Sequence, residues 1–227
     1  MSTARLAGFL YLVVVLTGMF TLAYVPSVLI DWNNASVTYN NIKSAETLFR
    51  LGIVAGIICY TAFVLLPFVL YKLLSQVNQT FAVGMVVLST VSVPFSLVNL
   101  LYKVNVLTLI ANSGNLTDPE LEKTQEQIML LLNYYGNGIQ IVSIFWGLWL
   151  FPFGYLVFKS GFLPKILGVF LMAGCFGYLI NFTGRFLYPN YASFGIGGYV
   201  SLPATIGEIG ICLWLLIGGI KTQTASE

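Results

Sequence analysis

The sequence predicts an all-α fold, a polytopic transmembrane bundle of about six helices joined by short loops. Hydrophobic residues make up 58% of the chain and charged residues only 8%, whereas soluble domains carry roughly 25% charged residues. The mean hydropathy is +0.88. The apolar residues also gather into runs long enough to cross a bilayer, which takes about 20 residues per helix. At 227 residues the chain has room for a single integral membrane domain spanning residues 1–227 and for no second one.

The first helix is expected over residues 6–30, preceded by Arg5 and carrying Pro26 near its end. It exceeds the roughly 7 to 15 apolar residues of a secretory signal and lacks a small-x-small cleavage site, so it reads as a retained span. Thr17, Gly18 and Thr21 within it are candidate packing positions. The polar, Asn-rich segment Asp31 to Lys43 reads as the first loop. A second helix follows over 47–74, and the short turn SQVNQ makes it an antiparallel hairpin with the third, 80–110. Pro94 should kink that third helix, freeing a carbonyl that Ser92 or a neighbouring helix can satisfy. Residues 111–127 are the most hydrophilic stretch; NLTDPELEK within it reads as a cap and a short surface helix with Pro119 in its first turn. The fourth, fifth and sixth helices are expected over 128–158, 165–187 and 199–220. Gly195, Gly197 and Gly198 before the sixth read as turn residues, and no linker marks a domain boundary. The endings LLPFVLYK and LFPFGYLVFK suggest that helices two and three repeat as four and five, although any two hydrophobic hairpins share such a likeness.

Several functions are excluded by what is missing. The net charge of +2 is small and scattered, so no nucleic-acid footprint is present. Histidine is absent, which removes the commonest ligand of haem and zinc and the usual general base near neutral pH. No cofactor, metal site or catalytic residue is expected, and the chain is not read as an enzyme. Cys59, Cys175 and Cys212 all lie in apolar runs and read as small hydrophobes. Trp146, Trp149, Phe151, Phe153 and Tyr155 read as packed or lipid-facing. Asn-x-Ser/Thr triplets begin at Asn34, Asn78, Asn115 and Asn181, but such matches are common by chance.

Ionisable groups inside a bilayer cost about 2.5 to 3.5 kcal/mol each on insertion scales, so each needs a partner, a cavity or an interface. Arg50, Lys103, Arg185 and Glu208 are the candidates, with Glu208 about 12 Å into the sixth helix at 1.5 Å per residue. In an alternating bundle the helix ends that carry Arg50, Asn99, Lys103, Asn133, Asn137, Gln140, Asn181 and Arg185 share one side. Asn99 with Lys103, Asn133 with Asn137, and Asn181 with Arg185 are spaced i,i+4, which puts each pair on one helix face. These residues and Glu208 are therefore the predicted ligand site, a net basic polar pocket. Glu46, one turn before Arg50, is placed to consume part of the positive excess.

At LFRLG (Leu48 to Gly52), QVNQTFA (Gln76 to Ala82), GYLVFKSGFLPKILGVFLMAGCFGYLI (Gly154 to Ile180) and GEIGICLWLL around Glu208, the chain resembles a bacterial family of multi-pass membrane proteins. That family is known only as domain of unknown function family 4386. The resemblance runs from about Ala4 to Ile220 and implies a multi-pass envelope protein, with no activity or catalytic residue to carry over. Arg50, Arg185 and Glu208 match positions where the family tends to carry charge. Typical members have Arg where this chain has Gln79 and Lys165, so neither position takes an Arg-specific role.

The expected function is binding or transport of a small anionic or amphipathic ligand, such as a lipid, in an outward-facing pocket. The alternative is a structural or assembly protein whose buried charges serve only helix packing. The expected partner is the lipid bilayer, with no nucleic acid. The tightest loops carry only basic charge, Lys72 before one and Lys159 and Lys165 around the other, which favours both termini in the cytoplasm and a location in the plasma membrane.

Overall fold

The computed structural model describes residues 2–218, and among them no strand occurs. Seven helices account for the architecture: α1 (Thr3–Leu29), α2 (Ala35–Ser44), α3 (Glu46–Leu74), α4 (Gln79–Ala111), α5 (Asp118–Lys159), α6 (Lys165–Leu187) and α7 (Ile196–Gly218). All but α2 are long and apolar enough to cross a membrane. The polytopic all-α prediction therefore holds. Residues 219 and 220 of the sixth predicted helix, and the tail from Lys221, lie outside the described residues.

Two readings of the connections are corrected. The first predicted loop contains α2, whose N-terminus is capped by the Asn34 side chain accepting from the Val37 N–H. Its polar average hides a buried face of Thr38, Tyr39 and Ile42, spaced as one side of a helix. The predicted surface helix after residue 117 is continuous with the fourth span, because no breaker follows Pro119 before Ile128. Its start is a capping arrangement in which Glu120 accepts from both the N–H and the hydroxyl of Thr117. Of the three glycines read as turn residues, Gly195 has a left-handed φ of 65°, while Gly197 and Gly198 already belong to the first turn of α7.

By their contacts the helices sort into two compact units. One comprises residues up to Leu12, Ala62–Val93 and from Ile141 onward; the other comprises Val13–Thr61 and Pro94–Gln140. The boundaries fall inside α1, α3, α4 and α5, so no linker separates the units.

In the first unit α6 packs against the end of α5 and against α7 through small residues. A methyl group at Gly174 would lie 2.7 Å from the Ala204 Cα, and one at Gly154 would lie 2.6 Å from the Gly168 carbonyl oxygen. Lipid tails are as apolar as leucine, so helices in a bilayer gain from close backbone approach and not from burial of apolar surface. Between α7 and α1 the Cys212 thiol is directed at the Gly8 carbonyl. The second unit has a core of Val25, Leu29, Tyr39, Ile42, Phe49, Ile53, Val106, Leu107, Ile110, Ile128 and Leu132, drawn from five helices.

Two helices depart from α geometry. Phe20–Tyr24 and Trp214–Gly218 are π-helical, the first ending two residues before Pro26. Such segments shift carbonyls out of the regular ladder, where side chains can reach them. In α4 the helix runs through Pro94 and tightens instead at Leu100, whose N–H is shared by the Ser96 and Leu97 carbonyls. Ser92 donates to the Ser89 carbonyl.

The small-residue interface gives a direct test. Gly174→Ala should destabilise the protein by about 1–3 kcal/mol through overpacking, whereas Gly84→Ala, with open space around it, should be neutral or stabilising by up to about 1 kcal/mol. Melting temperatures of both variants in detergent check the pair; equal effects would refute close packing at Gly174.

Candidate functional site

The predicted ligand-site residues divide between the units. Arg50, Asn99, Lys103, Asn133, Asn137 and Gln140 belong to the second, and Asn181, Arg185 and Glu208 to the first.

In the second unit the Asn99 and Lys103 pair is brought onto one target, Tyr135 of α5. Asn99 is buried and donates to the Tyr135 carbonyl at 2.8 Å. Lys103 is only 2% exposed; its ammonium donates to the Thr21 carbonyl at 3.2 Å and stands 4.2 Å from the centre of the Tyr135 ring. Thr21 lies in the π-helical segment of α1, and its carbonyl accepts the lysine there. Around this ammonium the Thr21 hydroxyl and the Tyr135 phenol are buried, and the hydroxyls of Thr21 and Tyr60 face that of Tyr135. No carboxylate pairs with Lys103 among the described residues of its unit.

The other members of that set stand apart from the ammonium. Arg50 is exposed and pairs with Glu46 at 2.6 Å, so the neighbour placed to consume its charge does so. Asn133 and Asn137 share an exposed face of α5, and Gln140 is half-buried. A further polar cluster ties α2 down. The Tyr39 phenol meets the Ser113 hydroxyl at 2.6 Å and accepts from Lys43 at 2.9 Å. Burial raises the ionisation point of that phenol, but the bonds from Lys43 and Ser113 outweigh it and hold it below the usual tyrosine range.

In the first unit Asn181 acts as a tie. Its amide donates to the Gly197 carbonyl at 3.0 Å and accepts from the Tyr191 hydroxyl at 2.9 Å, fixing the connection between α6 and α7. Arg185 is exposed in the last turn of α6. An apolar groove of about 560 Å³ lies beside that connection, walled by Phe176, Ile180, Tyr188, Tyr191 and Phe194. Glu208 is half-buried midway along α7 and accepts from the Tyr11 hydroxyl at 3.1 Å.

Tyr11, Thr21, Tyr60 and Tyr135 carry these arrangements; of them the sequence marks only Thr21, as a packing position. A tyrosine in an apolar run reads as packing, and only its distance to a charged group distinguishes it. Of the aromatic residues expected to pack, Trp149 and Phe153 are buried against Tyr11, with ring centroids at 6.1 and 6.4 Å. The three cysteines are buried and unbridged, as expected of small hydrophobes.

Residues 6–219 match the family described as Domain of unknown function (DUF4386). The chain belongs to that family. The DUF4386 protein is also similar to an uncharacterised protein of Archaeoglobus fulgidus, 41% identical over 78 residues, which is 34% of this chain and 44% of that protein. No solved structure matches. With its six long apolar helices the DUF4386 protein is a multi-pass membrane protein in contact with the lipid bilayer.

The two charged arrangements differ in what removal should cost. Glu46→Gln breaks an exposed i,i+4 pair and should change stability by less than about 0.5 kcal/mol. Asn99→Leu leaves the buried Tyr135 carbonyl without its partner and should cost about 0.6 to 1.7 kcal/mol, the span measured for hydrogen bonds between membrane helices. Chemical or thermal unfolding in detergent separates them; a larger loss for Glu46→Gln would overturn the assignment.

Proposed function

We propose that the DUF4386 protein is a membrane-embedded binding or transport module for a small anionic or amphipathic ligand, with Lys103 meeting the ligand's negative charge. The observation that supports this reading is the buried ammonium of Lys103, which has a carbonyl and an aromatic face for company and pairs with no carboxylate among the described residues of its unit. A lone cation within a span costs about 2.5 to 3.5 kcal/mol on insertion scales. A desolvated cation–π contact returns about 2 kcal/mol. An anion would supply the missing charge, and the Thr21 and Tyr135 hydroxyls beside it would supply donors. The reading is one of binding and not of catalysis, because the groups around Lys103 hold charge and hydrogen bonds but present no activated nucleophile.

Differential scanning fluorimetry in zwitterionic detergent tests it. An anionic amphiphile such as phosphatidylglycerol, at about 100 times its Kd, should stabilise the wild type by about 2.7 kcal/mol. Phosphatidylcholine should not, and Lys103→Gln should lose the shift. Equal shifts in wild type and Lys103→Gln would end the assignment.

We further place both termini in the cytoplasm and the protein in the plasma membrane, on the strength of the basic charge at Lys72, Lys159 and Lys165. Cysteines introduced as Ser75→Cys and Ser160→Cys should then resist membrane-impermeant thiol reagents in intact cells and react after lysis. Labelling of intact cells would reverse the orientation.

A further inference from the structure

The charge on Glu208 is the feature the Lys103 reading leaves unused. Glu208 stands midway along α7, at a depth where no other acidic side chain of the described spans lies; of the remaining described acids, Asp31 precedes α2, Glu46 opens α3, and Asp118, Glu120, Glu122 and Glu126 lie within the first nine residues of α5. A glutamate is too short to reach an interface from there, unlike a lysine or arginine. A carboxylate offers about four lone-pair positions, and one hydrogen bond is made to it, from Tyr11 to Oε1. No basic side chain pairs with it among the described residues of its unit.

The donor is held in place. Tyr11 is 1% exposed, flanked by Trp149 and Phe153, and Phe63 closes edge-on against Trp149 at 5.1 Å. The titratable groups beside Glu208 are Tyr11 from α1 and Tyr178 from α6, with Cys212 one turn along its own helix, and the rings of α5 and α3 pack behind Tyr11. A divalent metal would need six or more oxygen ligands, or a cluster of carboxylates and thiolates. No group of three or more metal-ligating side chains occurs among the described residues. A proton needs only one oxygen. Glu208 itself is half-buried on α7.

We infer that Glu208 is a proton-exchanging site of this membrane protein, positioned by Tyr11. A proton taken from water forms an O–H bond on Oε2 and is released from the same atom, while Tyr11 keeps its own proton and its bond to Oε1 throughout. No oxidant, reductant or second reactant enters. The inference uses neither Lys103 nor its neighbours, so it stands or falls separately from the ligand reading above.

The experiment is labelling of the full-length protein in vesicles with a hydrophobic carbodiimide, which reacts with protonated carboxyls and partitions into lipid. Peptide mass spectrometry should find the adduct on Glu208 and not on the acids of the connections, with a yield that falls along a single proton-titration curve. Glu208→Gln should abolish it. Tyr11→Phe should move the midpoint by about threefold or more in proton concentration, the equilibrium weight of one hydrogen bond; a purely structural tyrosine would alter stability and leave the midpoint in place. Infrared titration of the wild type provides a readout free of folding defects, as a protonated-carboxyl band that appears and disappears over the same pH range. An absent band, a pH-independent yield or an unmoved midpoint in a folded Tyr11→Phe protein would overturn the inference.

Discussion

Hydrocarbon accepts no hydrogen bonds, and that constraint organises this molecule. Every backbone group within a span must be satisfied by the helix itself, and every charged or polar side chain must find its partner inside the protein. The spans obey the first demand as unbroken helices, and they bend the second to use at two places. Lys103 meets a carbonyl that the π-helical turn of α1 presents to it, and Glu208 meets a phenol that three aromatic rings hold still.

The amides serve a different end. Asn99 and Asn181 each donate to a backbone carbonyl, of Tyr135 and of Gly197, so they act as ties between elements. This is the structural role that buried polar residues in membrane helices commonly take. The expected basic excess is likewise thinned in place: Arg50 is matched by Glu46 at an exposed surface, and Arg185 ends α6 in an exposed turn. What remains in the second unit is a single enclosed cation beside buried hydroxyls.

Much of this was readable in one dimension because the signals are strong and local. Runs of some 20 apolar residues have few alternatives to a membrane span, and the i,i+4 spacing of Asn99 and Lys103 put them on one face, where they do meet a common residue. The helix Ala35–Ser44 was hidden because its buried face is only Thr38, Tyr39 and Ile42 within a polar segment. A change in polarity resembles a boundary, so the segment after Thr117 reads as a separate surface helix, although the backbone continues across it.

The order of residues by itself determined that the chain crosses lipid, about how often, and which few side chains are too costly there to be accidental; these follow from transfer energies that each segment carries alone. Which partner each costly group finds was decided only by tertiary structure. Tyr11 and Glu208 are 197 residues apart, and Thr21 and Lys103 are 82 apart. No local periodicity encodes a hydrogen bond over such distances; it exists because folded helices bring those two atoms within reach of one another.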